Sequence, residues 1–313
     1  MTRTLAAELV LDAHAELGEG PAWDPRTGHL LWVDVCAGLV HRYDPVTETD
    51  EHINVGTAVS AVLPSGATEL ALALRTGIAV RDADGAVGML ADLEVPGVRL
   101  NDGTVGPDGA LWVGSMADPP VPGAGRLYRV ASDGATETVL DLVTVSNGLA
   151  FTPDGTRLYY TDTPTLRVDL FDVDPDGVGA GRLLNRRVVV DVGQAGRPDG
   201  LAMDDTGCLW VALSGGSAVH RYTPDGRLDT VLPLPVTKVT SCAFGDDGGT
   251  LYVTTAQGPQ AQPHAGGIFA VRPGCRGMPV PLFEPVPRKM SLSPGGKKPQ
   301  QWASSTRSVR PSA

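Results

Sequence analysis

The sequence predicts an all-β chain wound into a six-bladed β-propeller, and three observations predict it. One phrase of short apolar strands joined by Pro/Gly turns occurs six times along the 313 residues, at a period of about 40 to 50 residues, the range of propeller blades rather than helical solenoids. Glycine (39) and proline (26) are abundant, as a fold built from many tight turns requires. The apolar runs have strand length and lack helical periodicity.

The copies follow in order. The first opens at Gly18-Glu19-Gly20-Pro21, turns at 25–28, and continues with strands over 29–34 and 39–44. The second has 60–63, a turn at Pro64-Ser65-Gly66, then 69–74 and 78–81. The third has 101–105, the turn Pro107-Asp108-Gly109, then 111–115 and 126–130. The fourth has 147–151, the turn Pro153-Asp154-Gly155, then 158–162 and 168–173. The fifth has 199–203, a polar turn at 204–207, then 208–212 and 219–224. The sixth has 241–244, the turn Asp246-Asp247-Gly248, then 251–255 and 267–271. Six such sheets around an axis bury their faces against one another. The ring must close, and the strand over 5–11 is expected to join the last blade beside 280–283. The propeller is therefore assigned to residues 1–284. Residues 285–313 hold three of the four lysines (Lys289, Lys297, Lys298, against Lys238) and read as a disordered tail.

Composition narrows the function. The net charge is -11, with no basic patch ahead of the tail, which disfavours nucleic acid and anionic membranes as partners. No window approaches the ~18 apolar residues of a membrane span, and the N-terminus has no secretory pattern. Cys36, Cys208, Cys242 and Cys275 form no CxxC pair and read as buried, reduced thiols of a cytoplasmic protein.

Aligned on their turns, the copies place Glu19, Ser60, Asn101, Asn147, Asp199 and Thr240 or Ser241 at one end of the ring. Innermost strands line a central channel, so these side chains are expected to converge at its mouth. Asn-Gly and Asp-Gly are ordinary turn signals taken singly; the case rests on their shared register. An oxygen-rich ring suits a hard divalent cation. The six histidines lack ligand spacing, no GxSxG elbow is present, and Gly215-Gly216 has no strand-to-helix setting, so a serine hydrolase or a nucleotide loop is disfavoured.

With these residues identified, the chain resembles the SMP-30/gluconolactonase/LRE-like family, the group that includes regucalcin. The resemblance is carried by Gly18-Glu19-Gly20-Pro21-Ala22-Trp23, Arg99-Leu100-Asn101-Asp102-Gly103, Ser146-Asn147-Gly148-Leu149, Pro198-Asp199-Gly200, Leu209-Trp210-Val211-Ala212, the run 234–245 and Ala265-Gly266-Gly267-Ile268-Phe269. It implies one divalent cation (Ca2+, Zn2+, Mn2+ or Mg2+) in the channel, held by Glu19, Asn147 and Asp199, with Arg99 and Asn101 as substrate contacts. The implied activity is hydrolysis of a sugar lactone, in a monomer or small homo-oligomer. Aryl esters or organophosphates, and a non-catalytic calcium-binding role, stand as alternatives. Asp199 is the expected proton acceptor as well as a ligand. In one place the chain departs from the pattern: after Met116-Ala117, Pro119 stands where regucalcin-type members place a substrate-contacting Glu, and Asp118 is the candidate in its stead.

Overall fold

The computed structural model describes residues 2–174, 181–286 and 301–305. It is a six-bladed propeller, with no α-helix among the described residues. The innermost strands are Gly18–Asp24, Val59–Ser65, Val98–Val105, Ser146–Phe151, Arg197–Met203 and Val239–Gly245, one per blade in chain order. All six repeats of the sequence thus become blades.

Each blade also has a fourth, outer strand that the repeated phrase does not contain. Thr49–Asn54 and Thr136–Val143 are examples. These edges mix charged and apolar residues, because one face and one edge meet water, so the strand signal that burial gives is weak.

Ring closure uses the N-terminus, at a different place from the one expected. Glu8–Leu11 pairs antiparallel with Ile268–Val271 and completes blade six. Arg3–Thr4 separates from it and lies parallel to Leu228–Pro233 of blade five. Residues 280–283 are no part of that closure. Phe283, fully buried, bridges Ser65 of blade two, while Met278 N–H donates to Met203 O of blade five. The segment 277–283 therefore crosses the ring at the end away from Glu19.

Within the stretch assigned to the tail, residues 287–300 and 306–313 lie outside the described residues. Ala303–Ser305 pairs with the outer strand of blade one, and the Trp302 ring lies 4.5 Å from the Arg42 guanidinium. All four cysteines are free, as expected; Cys208 and Cys242 are buried, but Cys36 is exposed and Cys275 half-buried.

Packing between blades carries the stability. Trp32, Trp112 and Trp210 lie in the second strands of blades one, three and five and are almost fully enclosed. Each contributes roughly 4 kcal/mol of gross transfer free energy. The indole N–H of Trp210 donates to Asp204 Oδ2 (2.9 Å), which also accepts from Arg221 Nε (2.8 Å), so the buried charge is paired.

Candidate active site in the central channel

A break in strand register positions each candidate side chain. In blade three, Leu100 pairs with Ser115 and Gly103 with Val113, so Asn101 and Asp102 face Gly114 alone. In blade four, Asn147 and Gly148 face Thr161 alone; in blade five, Asp199 and Gly200 face Ala212 alone. In blade one the break follows Glu19 directly, between the pairs Glu19–Val33 and Ala22–Leu31. Two residues against one is a β-bulge, which bends the strand and re-aims its side chains. Here it brings polar groups into the channel from strands whose other positions are core.

Glycine after the polar residue lets neighbouring strands approach. A Cβ on Gly200 would lie 2.0 Å from Ser241 Oγ, and one on Gly148 would lie 2.6 Å from Asp199 O. The Asn-Gly and Asp-Gly pairs serve close packing in mid-strand rather than turns.

The six-fold convergence expected from register narrows to four blades. Ser60 Oγ donates to Ala73 O (3.3 Å), and Thr240 Oγ1 donates to Gly18 O (2.6 Å). Both hydroxyls are spent on backbone. Blades one, three, four and five supply the charged and carboxamide groups.

The electrostatics show which of these groups share a space. Burial, and then the nearby Asp102 charge, push the Asp199 carboxyl up to about 8. Burial, with Asp199 and Asp102 beside it, raises Glu19 well above its ordinary value. Burial pushes Asp102 up to about 6, against a hydrogen bond from Gly103 N–H (2.8 Å). These three carboxyls thus lie within electrostatic reach of one another in a poorly solvated place. Behind them the channel widens into a cavity of about 530 Å3 whose walls include Leu63, Leu149, Phe151 and Phe244, with Asp102 at its lining.

Asp102 is the site residue that the sequence reading passed over. It reads as the middle of an Asn-Asp-Gly turn. Only the bulge places two successive side chains against one partner.

The set fits a divalent cation. Asn147 Oδ1 and Asp199 Oδ1 are both buried without a hydrogen-bond partner. The Asn147 amide is held from behind: its Nδ2 donates to Thr163 Oγ1 (3.1 Å), which donates to Pro198 O (2.9 Å). That chain commits Nδ2 and leaves Oδ1 unpartnered. Among the described residues no three His, Cys, Asp and Glu side chains form a metal-type cluster; the candidate set of Glu19, Asn147 and Asp199 includes a carboxamide. Thr163 follows the second strand of blade four and carried no sequence signal. Thr163→Val keeps the volume and removes the hydroxyl. We expect it to weaken divalent-cation affinity by about 10- to 100-fold in a calorimetric titration, as loss of a ligand-orienting partner does.

Arg99 and Asn101 are locked together at the mouth. Arg99 Nη1 donates to Asn101 Oδ1 (2.8 Å) and Leu100 O (2.9 Å), and Asn101 Nδ2 donates to Ser146 O (2.8 Å). Burial lowers the Arg99 pKa, while Glu19 and Asp118 oppose that shift. Asp118 stands further out, half exposed, with one carboxylate oxygen 3.4 Å from Arg75 Nη1.

Fold and site together define a propeller with an acidic, oxygen-lined centre beside an arginine. Residues 17–257 match the model of the SMP-30/Gluconolactonase/LRE-like region, so the chain belongs to that family. It is 35% identical over 277 residues to a 6-deoxy-6-sulfogluconolactonase of Pseudomonas putida, covering 85% of this chain and 94% of that one. It is 35% identical over 295 residues to regucalcin of Bos taurus, covering 88% and 97%. Among solved structures, the calcium-binding protein regucalcin of Agrobacterium tumefaciens superposes with a TM-score of 0.84 at 29% identity, covering 90% of this chain and 99% of that one.

Proposed function

We propose that the protein is a divalent-metal-dependent lactonase that opens a sugar (aldono-)lactone to the free aldonic acid. The observation that carries this reading is the pair of unpartnered, buried oxygens on Asn147 and Asp199 among carboxyls of raised pKa. Lactonase and calcium-binding names among the relatives support it. Glu19, Asn147 and Asp199 hold the cation, and their all-oxygen donor set suits Ca2+, Mg2+ or Mn2+ best, with Zn2+ also accommodated. The cation, when bound, supplies Lewis acidity at the lactone carbonyl and acidifies water.

The chain's own groups do the rest. Asp199 takes a proton from the attacking water as the water oxygen bonds to the carbonyl carbon. The ring C–O bond then breaks, and the proton passes to the leaving alkoxide. One water is consumed, and the product is an aldonic acid that ionises at neutral pH. Arg99 has Nε and Nη2 uncommitted among the described residues and presents them to ring hydroxyls, with Asn101 holding the guanidinium in place. Asp118 accepts from a hydroxyl at the rim. The apolar part of the channel lies behind the carboxyls, away from Arg99, and so does not favour an aryl ester or organophosphate. Free cysteines support a cytoplasmic setting, and no helix among the described residues is long and apolar enough to cross a membrane.

The test is proton release from a panel of aldonolactones with metal-stripped and reconstituted protein. We expect turnover that disappears on stripping and returns with a divalent cation. No hydrolysis of any lactone with any of the four cations would leave the non-catalytic calcium-binding role.

A further inference from the structure

We infer that Arg75 makes this site selective for lactones bearing an anionic group, such as a phosphate, sulfonate or carboxylate, on the exocyclic carbon. The inference rests on the lactonase reading for where the sugar ring lies.

Arg75 directly follows the second strand of blade two, Glu69–Leu74. Its carbonyl accepts the Leu100 N–H (3.1 Å), which fixes its backbone against the Arg99-Leu100 step. Its guanidinium reaches Asp118, and Arg99 feels the charge of that carboxylate and of Arg75. Asp118 therefore pairs with Arg75 at the rim and lies within electrostatic reach of Arg99.

That pair is built to be exchanged. The Arg75–Asp118 contact is long at 3.4 Å, and its side chains are 42% and 48% exposed. Such a long, exposed pair is weak, so an incoming anion displaces it easily. The chain after Asp118 runs Pro119-Pro120-Val121-Pro122, four side chains without a hydrogen-bonding atom. That run therefore adds no side-chain acceptor beside Asp118. A hydroxyl is served by either kind of partner. A group with acceptor oxygens only is served by donors alone, and a guanidinium fork matches it with two parallel bonds.

Binding can be separated from turnover with ring analogues that have no scissile bond. Calorimetry with the full chain in excess Ca2+ compares 1,5-anhydro-D-glucitol with its 6-phosphate. We expect the 6-phosphate to bind at least about tenfold more tightly. Arg75→Gln, which keeps the stem, should bring it down to the affinity of the neutral analogue, and Arg75→Lys should recover part. Asp118→Asn, which removes the internal competitor, should tighten the 6-phosphate further. Equal wild-type affinities overturn the inference. A phosphate preference that survives Arg75→Gln also overturns it, because that preference then belongs to the cation. The lactone panel decides the hydrolytic reading separately: a panel without turnover leaves an Arg75-dependent phosphate preference standing, and turnover without that preference removes this inference alone.

Discussion

Asp199→Ala is expected to lose divalent-cation binding and lactone turnover together, with kcat/KM falling by at least about 10³-fold. The residue supplies one of only three candidate donors and the proton acceptor, so two contributions vanish at once. Asp199→Asn separates them. The amide keeps an oxygen in the Oδ1 position and cannot take the water's proton. We expect measurable cation binding in that variant, weakened, with turnover as low as in the alanine variant. Both replacements also remove one of three crowded carboxyls. The metal-free variants should therefore be at least as stable as the metal-free parent at pH 8, which rules out misfolding as the cause of lost activity. Turnover within tenfold of the parent in Asp199→Ala would remove the residue from the mechanism.

The ring was legible in the sequence because the inner three strands of each blade are buried and speak in apolar runs, such as Leu209-Trp210-Val211-Ala212. The outer strands were not, because strands such as Thr49–Asn54 alternate too weakly to separate from loops. At the site, Glu19, Asn147 and Asp199 could be found by register plus family resemblance. Register alone over-counted: Ser60 and Thr240 hold matching positions, but their short hydroxyls find a backbone carbonyl before they reach the axis. It also under-counted, because a bulge adds a residue that no repeat period announces, and Asp102 sits in one. Thr163 and Arg75 reach the site from connections after second strands, where length varies from blade to blade. Their roles depend on three-dimensional proximity, which no local pattern encodes.

Stability should fall as pH rises in the metal-free protein and be restored by a divalent cation. In the unfolded chain the three carboxyls take their ordinary values, 3.8 for the aspartates and 4.5 for Glu19. In the folded chain Asp102 holds its proton to about 6 and Asp199 to about 8, with Glu19 also raised. Between about pH 4 and pH 8 these three groups bind more protons in the folded state than in the unfolded one, so they lower stability across that window and add no further slope above it. His220 acts in the opposite sense, since burial lowers its pKa, and the aspartates of lowered pKa, such as Asp24 and Asp204, oppose the trend only below about pH 5. We expect the chelated protein to melt about 5 °C or more lower at pH 8 than at pH 5.5. Excess Ca2+ binds the deprotonated cluster and abolishes the difference. At a hundredfold over Kd it adds about 2.7 kcal/mol. Asp199→Asn serves as the internal control, because it deletes the largest aspartate shift while leaving His220 untouched, and its melting profile should be flatter. A chelated protein that is more stable at pH 8 than at pH 5.5, or an Asp199→Asn profile as steep as the parent's, would show that the carboxyls are not crowded in the folded state. The same crowding that makes the empty cluster resist ionisation makes it a receptor for a double positive charge. Proton and cation therefore compete for one set of oxygens, and the apparent cation affinity should rise with pH over the window in which the metal-free fold weakens.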